Sequence, residues 1–359
     1  MAEQKQPLPP MPHTSANVGN DVDDFDMDSA DSAMNVETDF IDDGYSAEEL
    51  NDGSMSLTPS VYDHAFENGR RYHRFREGTY AFPNDPSEQE REDMKHAMVV
   101  NVCEGKLHFA PIGQHPQNII DLGTGTGIWC MEMGDRYPSA SILGIDLSPI
   151  QPVWVPPNVR FMVDDAESSW LEPENFYDFV HGRHITPAIK DFPVLLRRAY
   201  SHIKPGGFLE FQEMEPFPYS DDPSLTPSSP LLKYYTFIHQ GLRNLGVDLQ
   251  RGRDEAANLS LHGFINTHHE VLKIPIGTWS ESNSLKTAGR YAQVGIMDGL
   301  QAMAFGPLCR GLGWSKEDVE KLCEEVRISF SQDTGVKAYM KLHIFWGQKP
   351  PDADQMDPS

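Results

Sequence analysis

Three glycines alternate with two threonines behind a short apolar run: Ile119-Ile120-Asp121-Leu122-Gly123-Thr124-Gly125-Thr126-Gly127 passes directly into Ile128-Trp129-Cys130-Met131. A glycine turn between a strand and a helix lets the backbone come close to a ligand and aims unpaired N–H groups at it, while the helix dipole favours a carboxylate. Pyrophosphate-binding turns space their glycines G-x-G-x-x-G. Here the spacing is G-x-G-x-G, and Asp121 stands two residues ahead of Gly123. A carboxylate repels a pyrophosphate and attracts an ammonium, so the turn suits the zwitterionic end of an amino acid better than a nicotinamide dinucleotide.

Further acids fall where the rest of such a ligand would need them. Asp146, followed by Leu147, ends the next apolar run roughly 20 residues past the glycines, where an acid accepts hydrogen bonds from ribose hydroxyls; alone it reads equally well as a helix cap. Asp164-Asp165-Ala166-Glu167 follows the third run, where a carboxylate can accept from an adenine amino group; alone it reads as a solvated turn. Ile203-Lys204-Pro205-Gly206-Gly207-Phe208-Leu209-Glu210 is a Pro-Gly-Gly turn feeding a strand. Together these features point to an adenosine-type site.

The elements that must position these groups are short apolar runs alternating with helical stretches, the βαβ pattern of a parallel sheet. Strands are expected near 118–122, 141–145, 159–163, 177–181 and 207–212, with two more near 269–276 and 339–346. Helices are expected near 88–104, behind the Asp85-Pro86-Ser87 start signal, and near 128–137, 192–203, 231–245, 285–305 and 315–329. The expected fold is α/β, a Rossmann-like, mostly parallel seven-stranded sheet with a helical N-terminal lid and a helical insertion. The expected division is an acidic tail (1–59), the lid (60–117), the ligand-binding core (118–216), a helical cap (217–268), the completion of the sheet (269–349) and a short tail (350–359).

Composition excludes several classes. The 359-residue chain carries a formal net charge of −25, and residues 1–60 hold fourteen acidic residues against Lys5 alone. That acidic segment has too few large apolar residues to offset its ordering entropy and is expected to be disordered. An acidic surface repels phosphates, which disfavours a tightly held nucleic acid. Residues 62–76 mix arginines with aromatics, yet Glu67 and Glu77 flank or interrupt the cluster. No apolar run approaches a membrane span or a secretory signal, so the expected location is intracellular. Cys103, Cys130, Cys309 and Cys323 form no C-x-x-C pair, so neither structural zinc nor a disulfide framework is expected.

The glycine motif, Gly144-Ile145-Asp146-Leu147-Ser148-Pro149-Ile150-Gln151-Pro152, Val155-Pro156-Pro157-Asn158-Val159-Arg160-Phe161, Asp165-Ala166-Glu167 and Lys204-Pro205-Gly206-Gly207 resemble the class I S-adenosylmethionine-dependent methyltransferases. More narrowly they resemble the fungal LaeA-like family of velvet-associated regulators of secondary metabolism and development. Asn68-Gly69-Arg70-Arg71-Tyr72-His73, Pro83-Asn84-Asp85 and Gly105-Lys106-Leu107 match that family's N-terminal segment, so the resemblance runs from about Tyr62 to Trp346. It implies S-adenosylmethionine as cofactor, held by Tyr72, Asp121, Gly123, Thr124, Gly125, Gly127, Asp146, Leu147, Asp165, Ala166 and Arg183. It also implies velvet-type or sister methyltransferase subunits as partners, and a place in the nucleus or the cytoplasm.

The segment after the fourth strand, Val180-His181-Gly182-Arg183-His184-Ile185-Thr186-Pro187, departs from the family pattern. It leaves the acceptor side open: His181, Arg183 or His184 orients a substrate, or these residues are structural. Glu213 is a further catalytic candidate, with a salt-bridge role as its alternative. Methyl transfer from a sulfonium needs a general base only when the acceptor must lose a proton, so the sequence fixes the donor better than the acceptor. The helical insertion, with Met297 and Met303, is expected to cap the acceptor pocket. Two outputs remain: methyl transfer to a protein or a small metabolite, or a cofactor-binding regulatory subunit that works by assembling a complex.

Overall fold

The computed structural model describes residues 64–67, 70–73, 84–331 and 335–352, so the acidic tail lies outside the described residues. The glycine turn is carried by a seven-stranded sheet of β3 (Asn118–Leu122), β4 (Ser141–Asp146), β5 (Val159–Val163), β6 (Tyr177–Arg183), β7 (Ile203–Tyr219), β8 (Ile265–Pro275) and β9 (Tyr339–Gln348), in the order β5-β4-β3-β6-β7-β9-β8. The first five strands in that order run parallel, and β9 is antiparallel to both neighbours. This is the Rossmann-like arrangement. The strand order reverses between β3 and β6, and such a switch point opens a crevice at the carboxyl ends of the strands.

Alternating side chains build the two faces of the sheet. Ile119, Ile142, Phe179 and Phe208 pack with Trp129 and Met133 of α2 (Ile128–Arg136). Their neighbours Ile120, Leu143, Val180 and Leu209 pack with Phe192, Leu195 and Leu196 of α3 (Phe192–His202). Fully burying side chains of this kind contributes about 1.5–3 kcal/mol each. The Pro-Gly-Gly turn is absorbed as an irregularity in β7: Tyr177 pairs with Ile203, but Phe179 pairs with Phe208.

The lid segment is not helical throughout. A two-stranded antiparallel ribbon, β1 (His64–Glu67) with β2 (Arg70–His73), precedes α1 (Pro86–Val102). Asp85 caps α1 by accepting from Glu88 N–H at 3.1 Å, and Pro86 opens it. Its buried Met98, Val99 and Val102 join a third core with α4 (Pro230–Asn244), α6 (Asn283–Phe305) and α7 (Lys316–Ser331). The insertion also holds α5 (Arg251–Ala256), a helix too short to announce itself by periodicity. The stretch around α5 is tied to the sheet at Glu215, whose side chain is 1% exposed and accepts from Tyr219 Oη at 2.6 Å, Gln250 Nε2 at 3.0 Å and His343 Nε2 at 3.3 Å. Burial pushes the Glu215 carboxyl up, but the bonds from His343 and Tyr219 outweigh it and hold the group at about 2. Among the described residues no helix is long and apolar enough to cross a membrane.

Candidate functional site: two adjoining cavities beneath the lid helix

The turn after β3 is built from left-handed glycines. Gly123 has φ +66°, and a Cβ there would lie 2.6 Å from Ile185 Cγ2. Gly125 has φ +58°, and a Cβ there would meet nothing within 4 Å. Gly123 is therefore demanded by packing, whereas the space above Gly125 is left for something else. Two side chains brace the turn: Asp146 Oδ2 accepts from Gly125 N–H at 2.9 Å, and Gln151 Nε2 donates to Gly125 O at 2.7 Å. Asp146 Oδ1 accepts from Ser148 N–H at 2.9 Å, and Ser148 Oγ accepts from Asn84 Nδ2 at 3.2 Å, linking the rim to the start of the lid helix.

Gly123, Gly125, Asp146, Leu147, Asp165, Ala166 and Arg183 line one cavity, together with Glu88, Glu92 and Lys95 of α1. It holds about 990 Å³ of empty space counting its solvent-open mouth. Asp165 Oδ1 accepts from Glu167 N–H at 2.8 Å, shaping the turn after β5 at the cavity wall. Thr124 and Gly127 complete the turn without lining the cavity: Thr124 N–H bonds Ile145 O, and Gly127 leads α2 with no side-chain cap. Tyr72 falls on β2, and its side chain lies outside the described residues. The roles of Asn84, Glu88, Glu92 and Lys95 carried no sequence signal beyond the cap at Asp85, because a lid helix is read by its buried stripe and these residues face the ligand space.

Asp121 and His181 sit behind the turn and line neither cavity. They are opposed on β3 and β6, and His181 Nδ1 lies 2.7 Å from Asp121 Oδ1. The imidazole is fully buried and stacked on Trp129 at 3.8 Å between centroids. Burial lowers its pKa to about 4, so at neutral pH the ring is uncharged and donates Nδ1–H to the carboxylate. Arg183 does reach the first cavity. Its Nε donates to Gln212 Oε1 at 2.9 Å and its Nη1 to His96 Nδ1 of α1 at 3.0 Å, while its Nη2 is buried with no hydrogen-bond partner.

A second cavity lies under α1, α4 and α6, and Lys95 and His184 line both. Glu213 and Met303 line it, whereas Met297 packs against the neighbouring core. Its walls are mainly apolar, with Ile238 and Leu242 of α4 forming part of the cap. Glu213 is 3% exposed and accepts from Ile185 N–H at 3.1 Å and Thr186 N–H at 3.4 Å. Burial raises its carboxyl to about 7, and burial also holds His184 well below the ordinary histidine value.

The first cavity fits S-adenosylmethionine. Gly125 leaves space for close approach, the Asp146 carboxylate on the cavity wall would accept from ribose hydroxyls, and Arg183, whose Nη2 has no protein partner, would offer a cation to an amino-acid carboxylate. When bound, the cofactor supplies an activated methyl group. The chain's own part would be to hold it near Lys95 and His184, the residues that line both cavities.

A family model described as a methyltransferase domain matches residues 93–251. The chain is 37% identical over 296 residues to methyltransferase pytC of Aspergillus terreus, covering 82% of this chain and 91% of that protein. It is 35% identical over 298 residues to the secondary metabolism regulator LAE1 of Cochliobolus heterostrophus, covering 81% and 97%. It is 32% identical over 310 residues to the protein-methionine methyltransferase laeA of Emericella nidulans, covering 83% and 81%.

Proposed function

Because the chain belongs to the LaeA-like family of class I S-adenosylmethionine-dependent methyltransferases, we propose that its methyl transfer serves the regulation of fungal secondary metabolism, the role named for LAE1. One observation favours turnover over a purely structural use of the cofactor. The cofactor cavity adjoins a second, capped and largely apolar cavity through the shared residues Lys95 and His184. A subunit that bound the cofactor only for stability would need no second chamber beside the methyl group. Velvet-type or sister methyltransferase subunits are the partners we propose, and the nucleus or the cytoplasm is the proposed location.

The test is complementation of a null strain with wild type and with Gly125→Val, a substitution that fills the space above the glycine turn. The expected outcome is that wild type restores the metabolite profile and the variant, folded and equally abundant, does not. Full rescue by a variant that no longer binds S-adenosylmethionine would overturn the proposal in favour of a scaffold role.

A further inference from the structure

Lys95 and His184, which line both cavities, bring polar groups to the second one, and Glu213 adds a carboxyl. His184 is held in a left-handed conformation with φ +57°, and Met214 N–H donates to its Nδ1 at 3.3 Å. The ring proton is therefore on Nε2, and that N–H is buried with no hydrogen-bond partner. The Glu213 carboxylate lines the same chamber, as does Lys95, whose Nζ bonds Glu92 at 2.9 Å. Arg91 lines it too, its guanidinium donating to Glu88 and Glu92, and the rest of the wall, from Ile238 and Leu242 to Ile296 and Met340, is mainly apolar with Tyr235 and Tyr291 among it. A Cβ built on Gly295 of α6 would meet nothing within 4 Å, so there is room for a bulky apolar body.

A neutral N–H donor and a buried carboxylate on the lining of one chamber complement a group that both accepts and donates a hydrogen bond, as a hydroxyl does. A thioether has no proton to give Glu213 and accepts weakly. A protonated amine has no lone pair with which to attack and would meet Arg91 and Lys95, and a carboxylate would meet Glu213 as a like charge. We propose that the methyl acceptor is the hydroxyl of an apolar alcohol or phenol, and that Glu213 is the general base that takes its proton, an assignment that rests on the methyltransferase reading above. The acceptor oxygen forms a bond to the methyl carbon, and the carbon–sulfur bond breaks with its electron pair passing to sulfur. The hydroxyl proton passes to a Glu213 oxygen, so the products are an ether, a neutral thioether and a protonated carboxyl. With its carboxyl raised to about 7, Glu213 is a stronger base than an ordinary carboxylate and is still substantially ionised at neutral pH.

The test uses one naphthalene body bearing three nucleophiles: naphthol, naphthylamine and methylthionaphthalene. Naphthol is expected to bind the protein alone, read by its fluorescence, and to yield methoxynaphthalene when S-adenosylmethionine is added. Glu213→Gln is expected to lower kcat by about 100-fold or more, the range typical of losing a general base, and to remove the rise of rate with pH through about 7. Its affinity for S-adenosylmethionine, measured by calorimetry, should be unchanged. Gly295→Phe should abolish naphthol binding while the cofactor still binds. The proposal is overturned if methylthionaphthalene or naphthylamine is methylated as fast as naphthol, or if Glu213→Gln keeps the wild-type pH profile. It is also overturned if a protein that binds S-adenosylmethionine does not bind naphthol. Failure of S-adenosylmethionine itself to bind would remove the underlying reading as well.

Discussion

Replacing Asp146 with alanine separates a cofactor ligand from a structural brace, because the carboxylate stands in both positions. Its oxygens each accept from a backbone N–H at 2.9 Å, one from Gly125 and one from Ser148, while the side chain also lines the cofactor cavity. A hydrogen bond to a charged group is worth about 1.5–3 kcal/mol, so loss of the ribose acceptor should weaken the cofactor by that amount, roughly 10- to 150-fold in Kd. The brace adds a second effect. Two amides lose their acceptor, at a cost to stability of about 1–3 kcal/mol, moderated because water can enter from the cavity mouth. Asp146→Asn keeps one acceptor oxygen and turns an NH2 toward one of the two amides, so it should fall between wild type and Asp146→Ala in both measurements. The assay pairs calorimetric titration of S-adenosylhomocysteine with denaturant melts of the same preparations. A folded Asp146→Ala variant with wild-type affinity and reduced stability would refute the ribose assignment and leave Asp146 a brace only.

Gly125→Val should abolish cofactor binding while far-UV circular dichroism stays native, since the new side chain points into space with no protein neighbour; retained affinity in calorimetry would contradict this. His181→Ala should cost roughly 3 kcal/mol in a denaturant melt, because it strips a buried carboxylate of its donor, yet turnover per folded molecule should persist; a kcat that falls without a loss of stability would make His181 catalytic. Glu213 binds a proton more readily folded than unfolded, so its contribution to stability is full below pH 4.5 and is lost as pH rises through about 7; Glu213→Gln should flatten that decline, by roughly 3 kcal/mol at most. Glu215 has the opposite sign: its contribution is present above pH 4.5 and lost as pH falls toward 2, so Glu215→Gln should destabilise at neutral pH and converge on wild type in acid.

Most of the sheet was legible because its strands are short apolar runs punctuated by glycine and proline, and β3 and β5 fall at the expected residues. The extension of β7 to Tyr219 was not legible, because Glu213, Glu215, Pro216 and Pro218 break the apolar pattern, and the two acids are buried largely through partners distant in sequence, Ile185 and Thr186 for Glu213 and His343 for Glu215. The β1–β2 ribbon was read as lid because its bases and aromatics give no clear period. Gly125, Asp146 and Asp165 follow from turn chemistry and reach the cavity. The pairing of Asp121 with His181 needs the adjacency of β3 and β6, which no local spacing encodes. The same holds for the second cavity, whose lining comes from α1, α4, α6, the residues just after β6, the second half of β7 and Met340 of β9.

The place of β9 in the sheet has a consequence for biosynthesis. Strands β3 to β7 leave the ribosome in an order that lets each find a neighbour already made, but β8 pairs only with β9, and β9 must slot between β7 and β8 after both exist. Until then β7 and β8 each present an unpaired edge, the kind of surface that chaperones shield and that invites pairing with another chain. A nascent chain stalled ahead of Tyr339 should therefore be captured by chaperones or degraded, and pulse-labelled protease resistance should arise in a single late step rather than domain by domain.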